Sequence, residues 1–445
     1  MKHASPKSDL PSEPVDRLTG TLGKFLHIEA ASGIVLLVFA LTALILANSP
    51  FSEGFLAFWK TPVGFNAGDY HVSHSLRHWI NDGLMTIFFF VVGLEVKREM
   101  VMGELRSLRQ ATLPVAAAIG GMVLPAALYL LLQHSGPGVR GWGIPMATDI
   151  AFLVGCVALL GSGVPKQLRV MLLSIAIVDD IGAILVIAIG YTDSINLFAL
   201  GIGVLGIALI TLATRMGVRS IPIYTLLGIT IWYAFHESGI HATLAGVILG
   251  LQTPARSWVS QGRLGQIIEK SGNLINGERF KTDAELRQLL HTVEIGSREA
   301  ISPLLRLETM LHPWVGFFIM PVFAFANAGV VFTADAMTTS VAMSVMAGLV
   351  LGKPMGIVLF SWLAIKFAKA QLPEGVTWMM LTAGGFLAGI GFTMALFIAD
   401  LALEAPILDQ AKTGILLASG IAAVIGMVLL KRAIGNRAPQ PPSSG

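Results

Sequence analysis

The sequence has little charge and almost no cysteine. Only 13% of its 445 residues are charged, whereas soluble proteins carry about 25%. A hydrophobic fraction of 54% and a mean hydropathy of +0.73 exclude an ordinary soluble domain. The single cysteine, Cys156, excludes an intramolecular disulfide, and its apolar surroundings do not resemble a metal site. The short alternating segments of a transmembrane barrel are missing too. The composition therefore predicts an all-α polytopic membrane protein.

Twelve apolar segments predict membrane-spanning helices, although hydropathy alone would also accept one more or one fewer. These segments cover residues 25–47, 79–96, 111–133, 142–162, 170–191, 197–214, 220–236, 240–253, 313–330, 340–365, 376–400 and 413–430. We expect them to form one membrane domain over 25–431, with a flexible cytoplasmic tail before it (1–24) and a disordered cytoplasmic tail after it (432–445). The first tail is polar and rich in proline and serine, unlike a signal peptide.

The distribution of basic residues predicts the orientation. Lysine and arginine concentrate in the loops on one side of the twelve segments, the side that holds both termini. The other side holds only Lys60, Arg77, Arg140 and Lys412. Cytoplasmic loops carry an excess of basic residues, so both termini are expected in the cytoplasm.

Two loops are long enough to hold structure of their own. In the outside loop, the turn signal Asn66-Ala67-Gly68-Asp69 predicts a β-hairpin over about 61–73. In the cytoplasmic loop 254–312, Thr282 and Glu285 have the spacing of a capping box. Apolar residues then recur at helical spacing, at Leu286, Leu289, Leu290 and Val293. That pattern predicts an amphipathic helix on or near the membrane surface.

Asp179 and Asp180 lie side by side in an almost wholly apolar run. A charge at the bilayer centre costs roughly 2.5–3.5 kcal/mol on insertion scales, so these carboxylates must be neutralised, paired or in contact with a transported ion. They are about 100° apart around a helix and cannot face the same way. A structural pair with a lysine is the alternative. We favour a site that holds either a cation or a proton, because carboxylates bind hard cations and burial favours their protonated form.

Two spans are interrupted by glycine and proline, in GWGIPMATDIAF and LAGIGFTMALF. Paired interrupted helices indicate a transporter site, since the broken backbone exposes helix ends. Asp149 follows Thr148 at the first break, where it can cap the second half-helix, contribute to the site, or do both. Lys353 lies in a third apolar run, and we favour a buried partner for a carboxylate over snorkelling to an interface.

Other polar residues leave their roles open. Glu95 ends an apolar run beside basic residues, which fits a solvated helix end as well as a functional role. Asp82 is expected to cap a helix end, and His241 fits a structural role as well as a titrating one. His71, His74 and His78 have a spacing compatible with a metal site, but we favour exposed histidines without a metal.

Eight short sequence strings, taken in order, resemble those of the NhaA-type sodium/proton antiporters. The resemblance runs from about residue 79 to 430 and rests on FFFVVGLEVKREM, IPMATDIAF, VDDIGAI, SGIHATLAGV, LHPWV, PVFAFANAG, LGKPMGI and GIGFTMALFIA. It implies inverted repeats that relate helices three to five to helices ten to twelve, with two discontinuous helices crossing at mid-membrane. It also implies that Asp179 and Asp180 carry Na⁺ and H⁺, Asp149 and Thr148 support the crossing, and Lys353 pairs with Asp179.

The resemblance also places a pH-sensing region at the cytoplasmic mouth, with Glu95, Arg98, Glu308 and His312 as candidates. The sequence departs from the family there. Leu305 stands where the best-known members have a lysine, and Thr309 where they have a histidine. The pH set-point is therefore expected to differ.

We accordingly predict an electrogenic Na⁺ (or Li⁺)/H⁺ antiporter of a bacterial inner membrane, with pH-dependent activity. No cofactor and no nucleic-acid partner are expected; the partners are membrane lipid and a second copy bound through the hairpin. An ion-coupled solute symporter of related fold is the main alternative, but the sequence shows no spare polar cluster for a solute. An intramembrane aspartyl protease is disfavoured because its Gly-x-Gly-Asp motif is missing. A non-transporting sensor remains the third alternative.

Overall fold

The computed structural model describes residues 29–67, 70–192, 195–218, 220–277, 283–332 and 334–435. Its first helices are α1 (Glu29–Ala47), α2 (Ser52–Lys60), α3 (Leu76–Met102) and α4 (Leu108–Leu132). A 3-10 helix (Pro137–Met146) leads into α5 (Ile150–Leu159), followed by α6 (Lys166–Gly190), α7 (Leu197–Arg215), α8 (Ile221–Ser238) and α9 (Thr243–Gln252). The second half holds α10 (Gln261–Gly277), α11 (Asp283–Glu299), α12 (Pro303–Asn327), α13 (Ala334–Met337), α14 (Ser340–Phe367), α15 (Trp378–Ala388), α16 (Phe392–Ala402) and α17 (Ile407–Gly435). Two single 3-10 turns, Glu104–Arg106 and Gly161–Gly163, complete the helical segments.

The architecture is an all-α polytopic membrane fold. Among the described residues, seven helices are long and apolar enough to cross a membrane, or up to ten if each of three bent helix pairs counts as one span. Each of the twelve predicted segments contains a helix, but α8 is not among the seven and α9 has only ten residues. Length and composition therefore do not establish twelve crossings. The outer surface is strongly apolar, as Ile189 (81% exposed) and Phe198 (80% exposed) illustrate, and such a surface suits lipid.

The helix packing forms one extended core and a smaller cluster. Helix α4 packs against α14 and α6, while α3 packs against α9, and α15 against α17. The smaller cluster joins α7, α8 and α9 around Ile210, Ile231 and Phe235. Small residues allow close approach: a Cβ on Gly356 would overlap the carbonyl oxygen of Gly120, so α4 and α14 meet backbone to backbone.

The loop that was predicted to lie outside contains a β-hairpin whose strands extend to Ser75. Strand β1 (Pro62–Ala67) pairs antiparallel with β2 (Tyr70–Ser75), and Pro62 lies opposite Ser75. The central turn residues 68–69 lie outside the described residues. Helix α3 begins directly after β2, so the hairpin is held at the start of this span.

The loop 254–312, which was predicted to be cytoplasmic, contains two helices where the sequence predicted one. Helix α11 covers the predicted apolar pattern, and α10 packs against it, with Ile267 and Leu264 facing Gly296. The proposed cap at Thr282 lies outside the described residues, as do the tail 1–24 and the last ten residues, 436–445.

Candidate functional site

Two interrupted helices meet at their breaks. The 3-10 helix and α5 are bent by 42° at residues 147–149, and α15 and α16 are bent by 46° at residues 389–391. The Asp149 N–H donates to the Ile390 carbonyl oxygen at 2.7 Å. The Thr148 hydroxyl lies 2.9 Å from the Ala388 carbonyl oxygen. Each break therefore supplies partners for the polar backbone that the other exposes, as an apolar surrounding requires.

Asp149 joins the two half-helices that begin after the breaks. Its Oδ1 accepts from the Phe152 N–H at 3.0 Å, so Asp149 is the N-cap of α5. Its Oδ2 accepts from the Thr393 N–H at 3.1 Å and from the Thr393 hydroxyl. One fully buried carboxylate thus faces the amino-terminal ends of both α5 and α16, where helix dipoles favour negative charge.

Lys353 and Asp179 form a buried ion pair. The Lys353 Nζ lies 2.8 Å from Asp179 Oδ2, and neither side chain has any exposed surface. Complete burial rules out snorkelling to an interface. The ammonium also donates to the carbonyl oxygen of Met146, the last residue of the 3-10 helix, where a positive charge offsets the helix dipole. A π-helical turn, Gly348–Gly352, immediately precedes Lys353 in α14.

Asp180 is the unpartnered carboxylate of the site. It is only 2% exposed, and its Oδ2 has no hydrogen-bond partner among the described residues. The same holds for Asp179 Oδ1. Buried polar atoms are nearly always satisfied, and an ionised carboxylate buried without a partner is costly. Two adjacent acids with unused oxygens suit a proton or a hard cation such as Na⁺ as the missing partner.

Thr148 connects the pair to the broken backbone. Its hydroxyl lies 2.7 Å from Asp179 Oδ2 and 2.9 Å from the Ala388 carbonyl oxygen. A hydroxyl has one proton, so it can donate to only one of them at a time. When Asp179 is ionised, donation to the carboxylate is favoured; when Asp179 is protonated, the hydroxyl can accept from it and donate to Ala388. The charge of Asp179 is thereby linked to the crossing.

The four pH-sensing candidates lie together on α3 and α12. Arg98 pairs with Glu308, and His312 Nδ1 lies 3.5 Å from Glu95 Oε1. Arg98 also contacts Glu99 at 3.4 Å, a residue that the sequence analysis did not select. Glu95 is 17% exposed at its side chain and lies within α3, so it is not an ordinary solvated helix end.

Several polar residues of the core were not predicted from the sequence. Thr393 stands in the quoted string GIGFTMALF, where a hydroxyl in an apolar run was the available signal. Asn81 donates to Asp400 Oδ2 at 2.5 Å and exchanges hydrogen bonds with Asn327. Lys412, which the topology placed in an outside loop, lies inside α17, is 2% exposed and approaches Asp400 at 3.8 Å.

The histidines near the hairpin are arranged differently from the prediction. His74 and His78 lie together with His236 from α8, whereas the side chain of His71 lies outside the described residues. Asp82 does not cap a helix, because α3 runs through this position. Its carboxylate instead lies 3.5 Å from His78 Nε2 and 3.6 Å from His236 Nδ1. The proposed cap was wrong because α3 begins at Leu76, six residues before Asp82.

Comparison with known proteins identifies the family. The sequence model described as Na⁺/H⁺ antiporter 1 matches residues 23–430. A Na⁺/H⁺ antiporter NhaA of Rhodopirellula baltica is 53% identical over 430 residues, which cover 97% of this chain and 98% of the relative. One from Rhizobium meliloti is 53% identical over 423 residues, covering 95% and 97%. A Vibrio vulnificus relative is 47% identical over 422 residues, covering 95% and 94%. This chain therefore belongs to the NhaA family of sodium/proton antiporters and is a membrane transporter, not an enzyme.

Proposed function

We propose that the chain exchanges Na⁺ or Li⁺ for H⁺ at Asp179 and Asp180, with Thr148, Asp149 and Lys353 supporting the site. The observation that carries this proposal is the unpartnered Oδ2 of Asp180 beside the ion-paired Asp179. A buried carboxylate without a donor must bind a proton or a cation, and either ion can be exchanged for the other. Family membership supports the reaction, and the geometry supports the residues.

Competition provides the coupling in this proposal. Protons neutralise the acids at low pH and remove the negative charge that attracts Na⁺, while Na⁺ displaces protons at higher pH. The two ions share the same oxygens, so the site holds one kind of ion at a time. Thr148 would couple the bound ion to the crossing of the interrupted helices, because the direction of its hydrogen bond depends on the charge of Asp179. That link gives a physical route from ion exchange to helix movement.

We propose electrogenic exchange because the site contains two acids. Asp179 and Asp180 together can take up two protons, whereas one Na⁺ brings one charge. Exchange of unequal charge should be accelerated by a membrane potential of the right sign. The measurement is transport in proteoliposomes with the potential set by a potassium gradient and valinomycin. A rate that is the same at every imposed potential would contradict electrogenic exchange.

The decisive experiment replaces Asp180. In proteoliposomes with an internal pH-sensitive dye, Asp180→Asn should abolish the proton flux that Na⁺ drives, because an amide neither releases a proton nor neutralises a cation. Asp180→Glu, which retains the carboxylate, should keep measurable flux. Asp409→Asn, at an exposed position near the start of α17, is the matched control and should behave as wild type. Normal flux in Asp180→Asn, in folded protein, would remove Asp180 from the site.

We further propose a pH-sensing role for the cluster of Glu95, Arg98, Glu308 and His312. Its two contacts join α3 to α12, so a change of charge on either side alters how these helices pack. Leu305 and Thr309 lie on the same helix but do not titrate, and the Thr309 hydroxyl simply donates to the Leu305 carbonyl at 2.7 Å. We therefore propose a weaker dedicated switch, with competition supplying most of the pH dependence.

For assembly and location, we propose a bacterial inner-membrane homodimer with both termini in the cytoplasm. The concentration of lysine and arginine in alternate loops supports this orientation. The β-hairpin supports the dimer, because a two-stranded sheet has edges at which another copy can pair. Membrane lipid would cover the apolar outer surface.

A further inference from the structure

A second cluster of ion-binding side chains lies beside the hairpin, far along α3 from the pH-sensing candidates. His74 comes from β2, His78 from the first turn of α3, and His236 from the last turn of α8. One nitrogen from each ring lies within 4.8 Å of the others. Imidazole rings from three elements therefore lie close together. The proposed transport reaction does not use these side chains.

Asp82 lies next to two of these rings and is the candidate fourth ligand of a tetrahedral set. Tetrahedral zinc has bonds of about 2.0–2.2 Å, which places neighbouring ligand atoms about 3.3 Å apart. Asp82 Oδ2 lies 3.5 Å from His78 Nε2 and 3.6 Å from His236 Nδ1. These two distances are close to the separation of about 3.3 Å between ligand atoms of tetrahedral zinc. The wider nitrogen separations, up to 4.8 Å, require rotation of the rings towards the ion.

The three imidazole rings pack against one another. His74 and His78 stack with centroids 4.3 Å apart, and His236 lies 5.5 Å from the His74 ring. Burial, and then the neighbouring His78 and His236, lower the pKa of His74 below its usual value. Neutral imidazole is the form that binds metal. The lowered pKa therefore favours the metal-binding form of the His74 ring.

Two tryptophans restrain the cluster. Trp232 stacks on His236 with ring centroids 6.0 Å apart, and Trp79 stacks on Trp232 at 6.4 Å. The Trp79 indole N–H also donates to the Val63 carbonyl oxygen of β1 at 2.8 Å. Trp232 and Trp79 therefore restrict the His236 ring and connect it to the hairpin. Neighbouring residues orient the ligands of known metal sites in a similar way.

We propose that His74, His78 and His236, with Asp82 as the fourth ligand, bind a divalent cation of the zinc class. Nitrogen ligands suit such an ion, whereas the carboxylate oxygens of Asp179 and Asp180 suit Na⁺. The bound ion would join β2 to α3 and α8. It would therefore stabilise the hairpin end of the protein and leave the exchanged ions unchanged.

The test titrates the full-length protein, with any affinity tag removed, with Zn²⁺ alone. Calorimetry and elemental analysis should show one tightly bound Zn²⁺ per chain, and bound Co²⁺ should give the visible absorption bands of a tetrahedral site. His236→Gln and His74→Ala should each weaken Zn²⁺ binding about 100-fold or more, since each removes a ligand. His134→Ala is the matched control, an exposed histidine that the topology places on the same side, and should bind as wild type.

Thermal melting keeps the test decisive if a variant is unstable. Zn²⁺ should raise the melting temperature of wild type and His134→Ala and have no effect on His236→Gln. The proposal is overturned if wild type binds no Zn²⁺ at micromolar concentrations. It is equally overturned if the folded His74 and His236 variants both retain wild-type affinity, or if His134→Ala loses affinity as they do.

Discussion

Replacing Lys353 by alanine should unbalance the centre of the proposed site. The ammonium lies 2.8 Å from Asp179 Oδ2 and also donates to the Met146 carbonyl oxygen, and the lysine is fully buried. Removing one partner of a buried ion pair typically costs about 3–5 kcal/mol, because the other charge is left uncompensated. We therefore expect a marked loss of thermal stability in Lys353→Ala.

The loss should also depend on pH, and its sign can be worked out. With its partner gone, Asp179 avoids the cost of an isolated charge by holding a proton in the folded state. The unfolded chain releases that proton above the ordinary aspartate pKa of about 3.9. The folded state then binds one more proton than the unfolded state, so stability falls by about 1.4 kcal/mol per pH unit until Asp179 ionises in the folded protein. Relative to wild type, Lys353→Ala should become less stable as pH rises.

The assay is the melting temperature in detergent, measured across a pH series, together with Na⁺-driven proton flux in proteoliposomes. Lys353→Arg keeps the charge and should retain more of both. Lys412→Ala is the matched control, since Lys412 is another buried lysine but lies 3.8 Å from a partly exposed Asp400. It should lose less stability and keep the wild-type affinity for Na⁺. The reasoning fails if Lys353→Ala matches wild type in both melting temperature and pH profile.

Three further changes test other parts of the structure. Thr393→Val removes the hydroxyl that donates to Asp149 and should lower the free energy of unfolding by about 1–3 kcal/mol; Thr393→Ser should restore it, and equal melting temperatures for all three proteins would argue against the contact. Deleting residues 63–73 should weaken the dimer and spare transport, so an unchanged mass in detergent would count against the hairpin as the dimer contact. Lowering pH should reduce the apparent Na⁺ affinity steadily while the maximal rate at saturating Na⁺ stays nearly constant. A maximal rate that collapses at low pH would instead indicate a dedicated switch, and Glu308→Gln would be the next variant to measure.

The sequence was sufficient where a residue contradicts its local surroundings. Asp179, Asp180 and Lys353 stand in apolar runs, and a charge there requires a partner wherever the helices lie. The break before Asp149 was visible for a similar reason, because glycine and proline interrupt an otherwise apolar span. These features could be predicted without knowledge of the helix packing, because each depends only on neighbouring residues in the sequence.

Contacts between distant segments could not be predicted in this way. Thr393 donates to Asp149 across 244 positions of the chain, and its own neighbourhood does not indicate that partner. His236 could not be predicted from the spacing within one segment, because the cluster draws on β2, α3 and α8. Lys412 was assigned to a loop because it precedes an apolar segment, but α17 begins earlier, at Ile407, and buries it. In each case, tertiary packing supplied what the local pattern lacked.

The position of the proposed ion site follows from how completely its surroundings are satisfied. At the crossing, Asp149 and Ser419 receive the first N–H groups of α16, and Thr148 and the Asp149 N–H reach the carbonyls at the end of α15. Lys353 offsets the end of the 3-10 helix and the charge of Asp179. Broken helices can bind ions through their exposed ends, but here those ends are occupied by the protein's own side chains. Asp179 Oδ1 and Asp180 Oδ2 have no hydrogen-bond partner among the described residues. At the proposed site, an ion can therefore bind these oxygens without displacing a protein group.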